Sequence, residues 1–113
     1  MHLVIDAVRP APLARFWELA TGWMPGNSVD DGMSLRSPAG VGPFLELLPS
    51  AAPKTVKNRV HLDVAPFKGE DHAGAVAALL SAGAAPADVG QGPVSWTVLA
   101  DPEGSEFCVL SPR

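Results

Sequence analysis

Three ionisable residues at two-residue spacing, Arg59, His61 and Asp63, mark the place where this chain could do chemistry. Side chains of an extended strand alternate between its faces, so these three share one face while Val60, Leu62 and Val64 share the other. The apolar trio is the natural contact for helices, which turns the polar trio toward a cavity. Three such groups are costly there unless they pair or meet a ligand. Two readings satisfy them. In the first they form an internal network, with Asp63 orienting His61 or neutralising Arg59. In the second, Arg59 clamps a carboxylate or other oxyanion, and His61 acts as a donor or general base whose tautomer is fixed by Asp63 or Asp6. His61 and Asp63 are therefore the candidate catalytic pair.

Other side chains carry paired readings as well. Trp96 sits in a Val94-Trp96-Val98 alternation and either fills a core or stacks on a planar ligand. Cys108 is the single cysteine, which excludes an intrachain disulfide and any cysteine-only zinc site. It is a small buried hydrophobe or a ligand-contacting thiol. His72 reads as a solvated residue without a role, and Glu103 and Glu106 as exposed flanks of a turn. The chain has no Walker or dinucleotide glycine loop, no nucleophile elbow and no His-Glu-x-x-His helix; Gly90-Gln91-Gly92 reads as a turn.

The elements that must position these residues come in a repeated order. Leu3 to Val8 reads as a strand running into Pro10 and Pro12, and it would place His2, Val4 and Asp6 on one face. Leu13, Phe16, Trp17 and Ala20 then fall at helical spacing, with Gly22 at the position of a C-terminal cap. Short strands follow near Trp23, from Met33 to Arg36 after an Asp30-Asp31-Gly32 turn, and from Phe44 to Leu48. After a linker of about 50–57, the order recurs. Arg59 to Val64 reads as a strand, and Asp71 caps a helix whose Ala73, Val76, Ala77 and Leu80 form its stripe before Gly83. Strands near Ala87, from Val94 to Ala100 and from Phe107 to Leu110 complete the half, with Asp101 to Gly104 as the last hairpin turn. Two βαβββ modules, about 1–49 and 58–113, are thus expected in one α+β domain spanning 1–113. Aligning Asp6 with Asp63 puts Val4 opposite His61 and His2 opposite Arg59.

Size and charge narrow the function classes. A chain of 113 residues has room for one core of ordinary size, which any duplication must share. A net charge of -4 offers no electrostatic footprint for phosphates, so nucleic acid is excluded as an expected partner. No apolar run approaches the roughly 20 residues that span a bilayer, and the N-terminus lacks the basic region and cleavage pattern of a signal peptide. The expectation is a cytoplasmic protein with no membrane partner.

The motifs Ile5-Asp6, Leu13-Ala14-Arg15-Phe16-Trp17, Lys57-Asn58-Arg59-Val60-His61-Leu62-Asp63 and Asp101-Pro102-Glu103-Gly104-Ser105-Glu106-Phe107-Cys108 resemble, in the same order, those of the vicinal oxygen chelate superfamily. More narrowly, the chain resembles its small glyoxalase-like and bleomycin-resistance-like domains. The resemblance implies pseudo-twofold modules forming a curved mixed sheet around a central cavity, with the helices outside. It also implies a homodimer, and metal-ligand positions that fall at His2, Glu46, Arg59 and Cys108. Arg59 has no lone pair to give and repels a cation, so a conventional metal site is disfavoured and no cofactor is expected. If a divalent metal does bind, His2, Glu46 and Cys108 are the competent ligands.

Three functions remain open on these residues. The first is a metal-independent protein that binds a small, partly apolar and anionic molecule between the modules, with Asp6, Glu46, Arg59, His61, Trp96 and Cys108 around it, either sequestering it or moving a proton through His61. The second is a metal-dependent lyase, isomerase or dioxygenase. The third is an oligomerisation module.

Overall fold

In the computed structural model, residues 1–27 and 31–113 are described, so Asp30 of the expected turn lies outside the described residues. The chain divides into two compact units, Met1–Pro53 and Lys54–Arg113, and the division falls inside the expected linker. Each unit is a βαβββ module with its own four-stranded mixed sheet, which makes the fold α+β.

In the first unit, β1 (His2–Ala7) is followed by α1 (Pro10–Thr21), β2 (Met24–Pro25), β3 (Met33–Arg36) and β4 (Phe44–Pro49). The sheet order is β1-β4-β3-β2, with β1 parallel to β4 and the other pairs antiparallel. Pro10 and Pro12 do more than end the strand. They open the helix, where a missing N–H leaves no hydrogen bond unmade. The expected stripe is correct in phase: Leu13, Phe16 and Trp17 are buried, and α1 packs on β1, β3 and β4. Gly22 closes the helix in the left-handed conformation, its N–H donating to the Glu18 carbonyl at 2.8 Å.

In the second unit, β5 (Leu62–Val64), α2 (His72–Ser81), β6 (Ala85–Pro86), β7 (Thr97–Ala100) and β8 (Glu106–Val109) give the matching order β5-β8-β7-β6. Asp71 caps α2 as expected, accepting from the N–H groups of Ala73 and Gly74. At the other end Gly83 donates to the Leu80 carbonyl and Ala84 to that of Leu79, a Schellman ending made possible by the positive φ of Gly83. The face of α2 differs from the expected one. Leu79 is buried and His72, Ala75 and Val76 are half-buried, whereas Ala73, Ala77 and Leu80 are exposed. The helix is apolar nearly all round, so periodicity could not choose its inward face. One determinant is His72, whose Nε2 lies 3.1 Å from the Val109 carbonyl of β8. His72 is thus tied to the sheet and not solvated.

The first strand of this unit is also shorter than expected. Arg59 and Val60 form a bend, and Val60 is 78% exposed where a helix contact was expected. The chain before β5 is hooked onto Glu106 instead of a ladder: the Asn58 N–H donates to the Glu106 carboxylate at 3.0 Å and the Asn58 amide to the Glu106 carbonyl at 3.4 Å.

The hairpin turn between β7 and β8 is built on a buried carboxylate. Asp101 Oδ1 accepts from the Glu103 and Ser105 N–H groups at 2.9 and 3.0 Å, and Gly104, at φ 91°, closes onto the Asp101 carbonyl. This explains the Asp-Pro-x-Gly pattern in physical terms.

Candidate functional site

The register of the second sheet places Asp63 opposite Cys108, and Cys108 opposite Val98, in one row across β5, β8 and β7. Alternation then adds His61 beside Asp63, Glu106 and Leu110 on either side of Cys108, and Trp96 just before Val98. All seven line a cavity of about 450 Å³ whose walls come wholly from the second unit. Its lining is mostly apolar in the middle, with ionisable groups around it.

His61 Nε2 lies 3.2 Å from Asp63 Oδ1. With its proton on Nε2, donated to that carboxylate, the ring keeps its lone pair on Nδ1. Both side chains are about half exposed, so this is an open pair and not a sealed network. Cys108 is buried beside them. Burial pushes its thiol pKa up, and the negative charge of Asp63 and the hydrogen bond its carboxylate accepts from the thiol push in the same direction. Cys108 is therefore a neutral thiol in the floor of the cavity. Glu106 shifts the opposite way. Burial alone would raise its pKa, but the hydrogen bonds from Lys54 and Asn58 and the Lys54 charge outweigh it and hold the carboxyl at about 2. The Lys54 Nζ to Glu106 Oε1 distance is 2.8 Å.

Four of the expected site residues, His61, Asp63, Trp96 and Cys108, are thus brought together. Trp96 is 41% exposed, on the loop entering β7. Arg59 lies in the bend before β5, is exposed, and does not line this cavity. Asp6 and Glu46 belong to the first unit. Asp6 is exposed on β1, and Glu46, buried on β4, is held by His2 Nδ1.

The two ladders also correct the alignment of the halves. His2 is opposite Phe44, two residues before Glu46, in the first sheet; in the second, Leu62 is opposite Phe107 and Asp63 opposite Cys108. Matching Glu46 to Cys108 makes Val4 correspond to Asp63 and His2 to His61, two residues beyond the position that aligning Asp6 with Asp63 gives. The counterpart of His2 is thus His61, and not Arg59. Glu106 was missed as a site residue, although its alternation with Cys108 carried the signal. Lys57, Gln91 and Arg113, which also line the cavity, are missed because each lies outside the strands, where alternation says nothing.

The imidazole, carboxylate and thiol of His61, Asp63 and Cys108 lie within 4.8 Å of one another. Their donor types fit a zinc ion, which would have to displace the Cys108 proton.

A family model described as a glyoxalase-like domain matches residues 2–110. Among curated proteins, none matches the chain. Several solved structures share its fold. A glyoxalase/bleomycin resistance protein/dioxygenase family enzyme from Burkholderia phytofirmans PsJN superposes with a TM-score of 0.76 at 15% identity, over 99% of this chain and 97% of that one. A glyoxalase/bleomycin resistance protein from Albidiferax ferrireducens T118 gives 0.70 at 21% identity, over 99% and 97%. The fosfomycin resistance protein FosX from Mesorhizobium loti gives 0.73 at 8% identity, over 97% and 88%. At such identities the likeness is one of fold. Among the described residues, no helix is long and apolar enough to cross a membrane.

Proposed function

Since the chain belongs to the glyoxalase-like domain family of the vicinal oxygen chelate superfamily, a fold that hosts many chemistries, we propose that it binds a small, partly apolar molecule in the cavity of its second unit and that His61 exchanges a proton with it. The observation that carries this reading is the His61–Asp63 pair at the wall of that cavity. Asp63 holds the ring so that one nitrogen keeps a lone pair, which is what a general base needs. Trp96, Val98 and Leu110 supply apolar surface for the body of the ligand. Cys108, kept protonated, contributes volume and a weak donor in place of a nucleophile. A homodimer in the cytoplasm belongs to the same proposal.

Two measurements test it. Long-range proton–nitrogen spectra of the histidine rings read the tautomer of His61: the Nε2–H form is expected in the wild type and lost in Asp63→Asn. Small aromatic ketones and acids, titrated against the amide spectrum, should bind the wild type and bind weakly to His61→Ala with the fold intact. Unchanged binding by His61→Ala overturns the reading.

One observation favours a second reading, a metal-dependent enzyme. The donors of His61, Asp63 and Cys108 lie close enough together to hold one ion, which when bound would act as a Lewis acid beside the ligand. In this structure Cys108 keeps company with His61 and Asp63, while His2 pairs with Glu46 in the first unit. Elemental analysis of protein purified without chelator or metal-affinity tag decides: a stoichiometric ion lost in Cys108→Ser would put the metal reading first.

A further inference from the structure

The charged groups of the cavity divide into two kinds. Its carboxylates are engaged: Glu106 by Lys54 and the Asn58 N–H, and Asp63 by His61 and the Cys108 thiol. Its two cations outside that network, Lys57 and Arg113, are not. Among the described residues neither makes an ion pair with a carboxylate, and the one hydrogen bond of Lys57 Nζ is a long one, 3.4 Å, to the Asn58 carbonyl. Arg113 is nevertheless held in place, because its N–H donates to the Pro66 carbonyl at 3.0 Å and its carbonyl accepts from the Lys68 N–H at 2.9 Å. Its backbone N–H and oxygen are thus both bonded, while among the described residues its guanidinium makes no hydrogen bond and keeps its five donors available.

From this asymmetry we infer that the ligand is an anion, a small carboxylate or comparable oxyanion with an aromatic or otherwise apolar body, and that Lys57 and Arg113 are the residues that select its charge. The inference rests on the proposed binding cavity and deepens it. A guanidinium with a free fork matches a carboxylate bidentately, and a lysine supplies a second point charge. The Glu106 carboxylate repels an incoming anion far less than a free one, because Lys54 offsets its field. The role that the sequence suggested for Arg59 thus passes to two residues at the cavity itself. Both lie outside the strands, where alternation assigns no face, and that hid them from any spacing argument.

Three probes of one shape and different charge test this: benzoate, benzamide and benzylammonium, titrated into the full chain at low salt and followed by the amide shifts of Val98, Cys108 and Leu110. Benzoate is expected to bind about tenfold more tightly than benzamide, the scale of one charge-assisted contact, and benzylammonium most weakly. Raising the salt should shrink the preference. Arg113→Gln and Lys57→Gln should each reduce it and together abolish it, while Arg15→Gln, on the exposed face of α1, leaves it in place. A benzamide affinity equal to that of benzoate, a preference for benzylammonium, or a benzoate preference that survives the double substitution overturns the inference and leaves the cavity reading standing. If none of the probes shifts those amides, the cavity reading falls and the inference falls with it.

Discussion

The two modules repeat one ladder pattern, each in its own sheet, and fill it differently. At matching positions the first has His2, Val4, Phe44 and Glu46, and the second has His61, Asp63, Glu106 and Cys108. In the first, the histidine finds its carboxylate on the neighbouring strand: His2 holds the buried Glu46, packs on Phe44 at 5.0 Å between ring centroids, and has Arg36 stacked on the far partner, 4.5 Å from the Phe44 centroid. In the second, Cys108 replaces that glutamate, and the histidine, just before β5, turns to the aspartate two residues along the chain. The same backbone thus makes one pair on a buried carboxylate and one pair on an exposed carboxylate beside a cavity. The lesson is that a repeated ladder fixes where side chains stand, and single substitutions on it decide whether they neutralise each other or face a ligand.

The helices differ as well, and the largest predicted effects separate them. Trp17 is 1% exposed beneath α1, so Trp17→Ala should cost roughly 3–5 kcal/mol in chemical denaturation. A loss below about 1 kcal/mol would break the view that the first module is anchored by its helix. Asp101 has no such counterpart in the first module's Ser37-to-Pro43 turn, which relies on the Ser37 carbonyl and hydroxyl and on the Arg36 guanidinium. Removing the buried carboxylate in Asp101→Ala orphans two N–H groups and should cost on the order of 2–3 kcal/mol. Leu79, the one buried side chain of α2, should cost about 2 kcal/mol as Leu79→Ala, and hydrogen exchange of α2 should outrun that of α1.

The smallest effect is electrostatic. Glu106 has a folded pKa of about 2 against an ordinary 4.5. A depressed carboxyl stabilises the fold fully above 4.5, and that contribution is lost as pH falls toward 2. An acid titration of stability should therefore show a loss of roughly 1–2 kcal/mol between pH 4.5 and 2, after allowance for solvent screening. Glu106→Gln should flatten this window, whereas changing its counterpart Phe44 should leave it in place. An equal acid loss in Glu106→Gln would contradict the assignment.

Much of the fold was legible in the sequence because its cues are local. Proline and glycine punctuation, the stripe of α1, the Asp71 cap and the Asp101-to-Gly104 turn all act within a few residues. The inward face of α2 was not legible, since an apolar surface all round carries no phase and a bond from His72 to a distant strand helps to set it. The start of β5 was hidden for a related reason: β-branched Val60 looks like strand, but the hook on Glu106, a contact across 48 residues, bends the chain first. Of the site, the alternations through His61 and Asp63 and through Trp96 and Val98 gave the ladder face. Lys57 and Arg113 reach the cavity from loops, where only tertiary contacts place them.

The comparison between the modules is tested most directly by mapping where a small ligand lands. With assigned amides, a benzoate titration should move Trp96, Val98, Cys108 and Leu110 of the second module and leave Ser34, Glu46 and Leu48, the counterparts of the last three in the first module, at their starting shifts. Perturbations centred on Ser34, Glu46 and Leu48 instead would place binding on the first module and contradict the account.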